Sequence, residues 1–484
     1  MAKITSVIDI GSNSVRMAIF KKTSRFGFNL IYEIKSKVRI SEGSYENNGV
    51  LQKEPIDRTI SVLKDFYQIT KDYKSKKLFC VATSAVRDAP NRQEFVQLVK
   101  KQCNIQIKVL DGKKEAFFGG IACANLSHLK DGIMIDIGGG STECVLIEKG
   151  RLKEMISLNI GTIRLKELFL DKKCSLKEMS LFIENEIAKI PASFKHENIF
   201  GVGGTIRALT KLIIKQSGDI VNMVHGFEID IKKYSDLIQK IIKAKEEKLI
   251  EMGISEERLD NIQGGLLILS LLISTFKAKK ITTCGVGIRE GVFLADLLRY
   301  HHHQFPPNIN PSIHFIKDTF PVSKNFPTIK KYALNFFNAI QEDFALEESY
   351  ATILKTTAAL LQTGVMIDFY QANNHASYMA KYMLTYGISH QDRAHIALLL
   401  EFSEKKLPKD SDLARYNITN NLSTLQVLSY ILAISQILAT SKQKEILWEY
   451  QNRILKFYGL KSHFLLREKI SKVAIPKNLS VIIT

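Results

Sequence analysis

The sequence predicts an α/β protein built from two related halves and followed by a helical region. Two stretches share one pattern: Val7-Ile8-Asp9-Ile10-Gly11-Ser12-Asn13-Ser14, and Ile133 to Glu143, reading Ile-Met-Ile-Asp-Ile-Gly-Gly-Gly-Ser-Thr-Glu. In each, an apolar run ends at an aspartate, and glycine and hydroxyl residues follow. Alternating apolar residues come next (Val15, Met17 and Ile19; Val145 and Ile147), so each loop reads as the tip of a strand hairpin. Two like hairpins about 125 residues apart suggest two related units around a shared cleft. Between and after them, short apolar strands alternate with helical spacings as far as Pro306, Pro307 and Pro311, which mark a boundary. The predicted domains are residues 1–125, 126–305 and 306–484.

In the first half, Ser36 to Gly49 is polar and contains glycine, as a mobile loop would. Ile56 to Tyr73 has helical apolar spacing through Ile60, Leu63, Phe66 and Tyr67. Leu78 to Ala82 reads as a buried strand ending at Thr83-Ser84-Ala85-Val86-Arg87-Asp88. An arginine just past an α/β strand is placed for a ligand, although a surface ion pair would serve it equally. Ile105 to Leu110 is a further strand. Asp111-Gly112-Lys113-Lys114-Glu115-Ala116 then opens a helix running through Ala122. Glu115 stands in its first turn, where the helix dipole favours a carboxylate, and that local role alone accounts for it.

The second half starts near Leu126. After its hairpin come a strand and turn at Ser157 to Thr162, Arg164, and a helix over Leu176 to Phe194. Gly201-Val202-Gly203-Gly204-Thr205 follows a short apolar strand and opens a helix whose first N–H groups suit a phosphate. Arg258 and Asp260 precede an apolar helix that ends near Ser274. Cys284 to Gly291 is a fourth glycine loop. His301, His302 and His303 precede the prolines, and adjacent histidines on a linker point different ways, so they are not read as a metal site. The remainder is mostly helical, at Tyr350 to Leu361, His375 to Leu384 and Leu425 to Leu438.

Four glycine loops, each after a short apolar strand, point to a phosphate cleft. Glycines let a ligand approach backbone N–H groups, and a nest of such donors beside hydroxyls suits phosphate. The competing reading, an ordinary glycine-rich turn, leaves the dense polar residues beside a buried strand without a purpose. Asp136 and Glu143 suit a hard cation such as Mg²⁺. A dinucleotide fingerprint would need a helix after the glycines of the hairpin loops, and a P-loop would need Gly-Lys-Ser/Thr; neither occurs there.

The 484 residues carry 68 basic and 49 acidic side chains, a formal charge of +19. Such an excess favours polyanionic partners, although a generally basic composition would also produce it. Six scattered cysteines without Cys-x-x-Cys speak against zinc sites and disulfide frameworks. Asp9 and Arg16 stand where a signal peptide needs an apolar core. The best apolar run, Leu266 to Ile273, is too short to span a bilayer. A soluble cytoplasmic protein is expected.

Eight stretches, in order across the first 300 or so residues, resemble the exopolyphosphatase / guanosine pentaphosphate phosphohydrolase family of the actin, Hsp70 and sugar-kinase superfamily. They are Asp9–Ser14, Ala82–Asp88 with Asn91, Gly112–Ala116, Asp136–Glu143, Ser157–Leu165, Gly201–Thr205, His225-Gly226 and Gly287–Gly291. The resemblance implies two ribonuclease-H-like domains, each with a mixed five-stranded sheet and flanking helices, and an all-α C-terminal domain. It implies Glu115 as catalytic base, and Mg²⁺ or Mn²⁺ held by Asp136 and Glu143. Ser12, Asn13, Ser14, Arg87, Gly139, Gly140, Ser141 and Thr142 would contact phosphate. Arg16, Gly138, Gly203, Gly204, Thr205, Arg258 and Arg289, on or beside the glycine loops, complete the expected phosphate-binding set. Two departures stand out. Lys114 replaces an acidic residue before the catalytic glutamate. The C-terminal region resembles an HD-type helical domain without its His-Asp pair: Gln362-Thr363 stands in its place, His375 remains, and Leu400-Glu401-Phe402 has no downstream histidine. That domain is therefore read as structural or as a channel wall.

The function expected is removal of a terminal phosphate from inorganic polyphosphate, from guanosine pentaphosphate, or from both. Expected partners are polyphosphate and guanosine penta- or tetraphosphate, with no stable nucleic-acid partner, no membrane, and a second copy of the chain as a homodimer. Two alternatives belong to other classes. A kinase of the same superfamily would need an acceptor pocket, of which the sequence gives no sign. A non-catalytic sensor of polyphosphate or alarmone nucleotides would not need Glu115.

Overall fold

The computed structural model describes residues 3–218, 221–320, 323–419, 421–440, 446–460 and 462–484. The chain forms two compact units: Met1–Ser217 with Met223–Pro311, and Ser312–Thr484 with Gly218–Asn222.

The first unit holds two sheets. Strands β1 (Ile4–Ile10), β2 (Val15–Lys22), β3 (Phe28–Ser36), β4 (Lys77–Ala82) and β5 (Ile107–Val109) form a mixed sheet in the order β3-β2-β1-β4-β5. β1 pairs antiparallel with β2 and parallel with β4. One face carries Ile8, Ile10, Met17 and Ile19 against Ile60, Leu63 and Phe66 of the helix Lys53–Asp72 and Phe95 of the helix Arg92–Cys103. Alternation in the strands and three-to-four spacing in the helices supply those apolar faces. The segment expected to be a mobile loop after β3 is packed. Val38 and Ile40 join this core, while Arg39 and Ser41 donate backbone N–H bonds to the carbonyls of Asn13 and Ser12.

The second sheet contains β6 (Gly132–Ile137), β7 (Thr142–Glu148), β8 (Arg151–Leu158), β9 (Asn198–Gly203), β10 (Glu228–Asp230) and β11 (Lys280–Thr283), in the order β10-β11-β9-β6-β7-β8. It has six strands where five were expected. The additional one, β10, is a three-residue edge strand, Glu-Ile-Asp, too short and too polar to show a period. The helix Gly112–Leu126 is buried along most of its length, because neighbours press on more than one side. Gly119 and Gly120 lie close against Met134, Val145 and Leu152 of the sheet. On another side, Gly291 of the helix Ile288–Leu297 lies against the Phe118 carbonyl.

The second unit is mainly helical, with helices that include Phe326–Ile340, Ser349–Leu360, Ala372–Met383, His390–Glu401 and Leu422–Ala439. It is not all-α. Strands β12 (Trp448–Gln451), β13 (Ile454–Phe457) and β14 (Ser480–Ile483) make a small mixed sheet. Four-residue strands, the last remote in sequence, leave no pattern to read. Leu422–Ala439 is an apolar helix of 18 residues, longer than the run Leu266 to Ile273; it has the length and composition to cross a membrane, but 67% of it is buried. Such burial is that of a core helix. Among the described residues no cluster of three or more His, Cys, Asp or Glu is arranged to hold a metal, the three consecutive histidines included.

Candidate active site

The two hairpin tips are built alike. Gly11 donates its N–H to the Ser14 carbonyl at 3.1 Å, and Gly138 donates to the Ser141 carbonyl at 2.9 Å. Across the ladders, Asp9 faces Arg16 in the first hairpin and Asp136 faces Glu143 in the second. The repeat thus keeps its aspartate and exchanges a cation for an anion at the facing position. Both tips open into one cleft within the first unit.

That cleft gathers most of the expected residues. Ser12, Asn13, Ser14 and Arg16 line it from the first hairpin, and Asp136, Gly138, Gly139, Ser141 and Glu143 from the second. Gly203, Gly204 and Thr205 line it at the start of the helix Gly204–Ser217, with Arg258, Arg289 and Glu115. Gly203 has φ +97°, and the Arg258 guanidinium lies where a Cβ on Gly204 would be 2.5 Å away. Glycine is needed at both places, for conformation at the first and for close approach at the second. Arg258 therefore lies at a helix N-terminus, an arrangement suited to an anion.

Three expected residues are not on the cleft wall. The Thr142 hydroxyl is buried and donates to the Ile160 carbonyl at 2.7 Å. Gly140 lies behind the tip: a Cβ there would sit 2.5 Å from the Tyr45 hydroxyl and 2.6 Å from that of Ser84. Its carbonyl accepts from Arg164 Nε at 2.9 Å. Arg87 reaches the site through Glu115, with Nη1 at 2.6 Å from Glu115 Oε2 and Nε at 3.1 Å from Asp88. Asp88 also pairs with Arg164 at 3.2 Å, so one chain of contacts ties Glu115 to the glycine tip.

Glu115 is not the cap of its helix. Asp111 fills that role, accepting from the Lys114 N–H at 2.7 Å, and Lys114 itself turns to the Asp111 carboxylate at the surface. The Glu115 carboxylate is buried. Burial and the neighbouring Glu143 push its pKa well above the ordinary range, and Arg87 opposes them. Glu143 is pushed up to about 7, first by burial and then by Asp136, while hydroxyls of Ser141 at 2.7 Å and Ser157 at 2.8 Å donate to its Oε1. Burial raises Asp136 and takes Asp9 to about 6.

Beside these carboxylates the cleft holds Arg16, Arg207, Arg258, Arg289 and Lys35. Arg207 donates to the carbonyls of Gly203 and Gly285, at 3.1 and 3.3 Å. Arg16 is lowered to about 10 by burial and by Arg207 and Arg289. Arg289 pairs through Nη2 with Glu33 at 2.6 Å, while its buried Nη1 has no partner among the described residues. One cleft thus combines a carboxylate group that repels itself with a guanidinium group that repels itself.

No three side chains of the described residues form a metal site by themselves, so Asp136 and Glu143 suit a hard divalent cation only as two ligands that phosphate oxygens and water would complete. Asp9 Oδ1 is buried with no hydrogen-bond partner among the described residues, and Asp9, Asp136 and Glu143 all line the cleft with raised pKa values. A cation there would favour their ionised forms.

Some of the site was missed in the sequence. Asp9 heads its hairpin as Asp136 heads the other, so the repeat alone could have found it. Arg207 lies on the first turn of the helix after the third glycine loop, two positions beyond Thr205. Ser84 and Ser157 lie within two of the stretches that carry the resemblance, but nothing in their own local pattern marks them as site residues.

Comparison with known proteins gives this geometry a context. The profile of the Ppx/GppA phosphatase family matches residues 18–300. The chain belongs to the Ppx/GppA phosphatase family. It is a phosphohydrolase at that level of description. The profile of domain III of the same family matches residues 310–467. A guanosine-5'-triphosphate,3'-diphosphate pyrophosphatase of Pseudoalteromonas translucida is 28% identical over 461 residues, 92% of this chain and 89% of the relative. One of the same name from Photobacterium profundum is 25% identical over 444 residues, 88% of this chain and 86% of the relative. The crystal structure of the Aquifex aeolicus member of the family is similar with a TM-score of 0.54 and 27% identity; the match covers 62% of this chain and all (100%) of that one. The expected actin-like α/β architecture holds.

Proposed function

We propose that this chain removes the terminal phosphate from guanosine pentaphosphate, yielding the tetraphosphate, and from inorganic polyphosphate, with Glu115 as the base that orients and deprotonates the attacking water. The observation that carries the reading is Glu115 itself. It is buried, relieved of capping by Asp111, held at 2.6 Å by Arg87, and set in the same cleft as both hairpin tips. The two relatives named as guanosine-5'-triphosphate,3'-diphosphate pyrophosphatases support the nucleotide half of the reading.

Hydrolysis of a phosphoanhydride asks the protein for positioning and charge more than for covalent chemistry. Ser12, Asn13, Ser14, Gly139 and Ser141 would receive the terminal phosphoryl group at the two tips. Arg16, Arg258 and Arg289 would take the phosphates behind it. Asp136 and Glu143 would hold Mg²⁺ or Mn²⁺, which when bound neutralises charge on the phosphoryl oxygens. Hydroxyls of Ser141 and Ser157 fix Glu143, and Arg87 opposes the rise that burial and Glu143 impose on the Glu115 pKa. The raised pKa of Glu115 suits a general base.

The test measures phosphate release from guanosine pentaphosphate, long polyphosphate and short polyphosphate with Mg²⁺ or Mn²⁺, side by side at two salt levels. Release from the nucleotide and from polyphosphate is the expected result. Release from neither overturns the proposal, and release from the nucleotide alone removes its polyphosphate half.

A further inference from the structure

β1 joins the cleft to a second, different place. Asp9 lies near its cleft end; Ile4, at the other end, is roughly 17 Å away at about 3.3 Å per residue. There Lys3 and Ile4 meet the end of β2 (Lys22), the start of β4 (Lys76 and Lys77), the turn at Arg25-Phe26, and Asp296 to His301. Together they enclose a cavity of about 240 Å³. None of these residues lines the cleft.

The cavity is lopsided in charge. Its acid, Asp296, accepts from Lys77 Nζ at 2.6 and 2.7 Å and from Arg299 Nη1 at 3.1 Å. Among the described residues Lys3, Lys22, Lys76 and Arg25 form no ion pair; Arg25 instead lies 3.1 Å from the His301 ring. Burial, and then Lys3 and Arg299, press the Lys22 ammonium below its ordinary pKa; Asp296 opposes them and Arg25 adds to the shift. A basic face on a basic protein is ordinary. A concave one, closing around a partly buried lysine, is not, since six cations there share the one acid Asp296 and an entering anion would relieve the repulsion it leaves. Rings sit beside the cations: Arg25 lies over Phe26 and Arg299 over Tyr300, 80% of which is exposed.

We propose that this cavity is a second binding site for a run of phosphate groups, separate from the cleft, with Lys3, Lys22, Lys76 and Arg25 as its cations. The run is that of an inorganic chain or of a nucleoside triphosphate, whose base would stack on Tyr300. The proposal does not depend on what the cleft hydrolyses.

Calorimetric titration of the full chain with imidotriphosphate and with guanylyl imidodiphosphate, both resistant to hydrolysis, tests it. A site that the double variant Lys22→Gln/Lys76→Gln weakens by about a hundredfold is expected, roughly tenfold for each charge-assisted contact. Lys22→Arg/Lys76→Arg should keep it. Tighter binding of the nucleotide, lost in Tyr300→Ala, names a nucleoside triphosphate as the source; equal binding names the inorganic chain. Binding that the glutamine pair leaves unchanged, or no binding, overturns the proposal. Phosphate release by the same glutamine variant should match the parent. Absence of release from the parent itself would end the reading of the cleft and leave this one standing.

Discussion

At the scale of single residues, the proposed chemistry rests mostly on the pair Glu115–Arg87. Burial and the neighbouring Glu143 raise the pKa of this carboxylate, and Arg87 at 2.6 Å works in the opposite direction. Glu115→Gln keeps the shape and removes the proposed base, so turnover should fall by roughly 10²–10⁴ with substrate binding retained. Arg87→Met should act differently. Without the guanidinium the Glu115 pKa rises further, so activity should vanish at a higher pH as pH falls. The kcat-against-pH profile reads this directly: its acid limb should move upward, with part of the loss recovered at alkaline pH. An unmoved limb would mean that Arg87 serves the substrate alone. In the sequence Arg87 has two equal readings, ligand contact or surface ion pair, and Glu115 reads as a helix cap. Local pattern could not show that the two side chains, 28 positions apart, meet. Asp111 takes the cap through its own side chain, which the order Asp-Gly-Lys-Lys-Glu allows but does not require.

At the scale of elements, the paired hairpins were the legible part, because an apolar strand, an aspartate and a glycine tip are local and were written twice. What could not be read is how each tip is backed. Gly140 sits against Tyr45, Ser84 and Ser12, which come from three other places in the chain, and its carbonyl is held by Arg164. Gly140→Ala would put a methyl group 2.5 Å from the Tyr45 hydroxyl and 2.6 Å from Ser84. The tip must then shift, by an amount small for the fold and large for a phosphate. Turnover should drop by at least about tenfold, since ångström-scale misplacement of reacting groups can cost that or more. The melting transition should move by only a few degrees. A variant with full activity would show that the tip tolerates displacement. Strands β10, β12, β13 and β14 escaped for another reason: strands of three or four residues carry no period.

At the scale of the whole molecule, the cleft carries a cost that its ligands should relieve. Burial places Asp9 at about 6 and Glu143 at about 7 and raises Asp136 and Glu115, whereas carboxylates of an unfolded chain titrate near 4. Between those limits the folded chain retains protons that the unfolded chain has released, so stability falls as pH rises, by an amount on the order of a few kcal/mol. A divalent cation among the carboxylates favours their charged forms and should cancel that fall. Melting of the first unit should therefore occur at a lower temperature at about pH 8 than at about pH 5 without metal, and millimolar Mg²⁺ or Mn²⁺ should raise it mainly at the higher pH. Asp136→Asn should weaken the metal effect. Scanning calorimetry is the suitable measurement, because the one tryptophan, Trp448, lies in the second unit and its fluorescence would follow that unit instead. A metal shift of equal size at both pH values would remove the carboxylates from the explanation. A shift unchanged in Asp136→Asn would place the cation elsewhere.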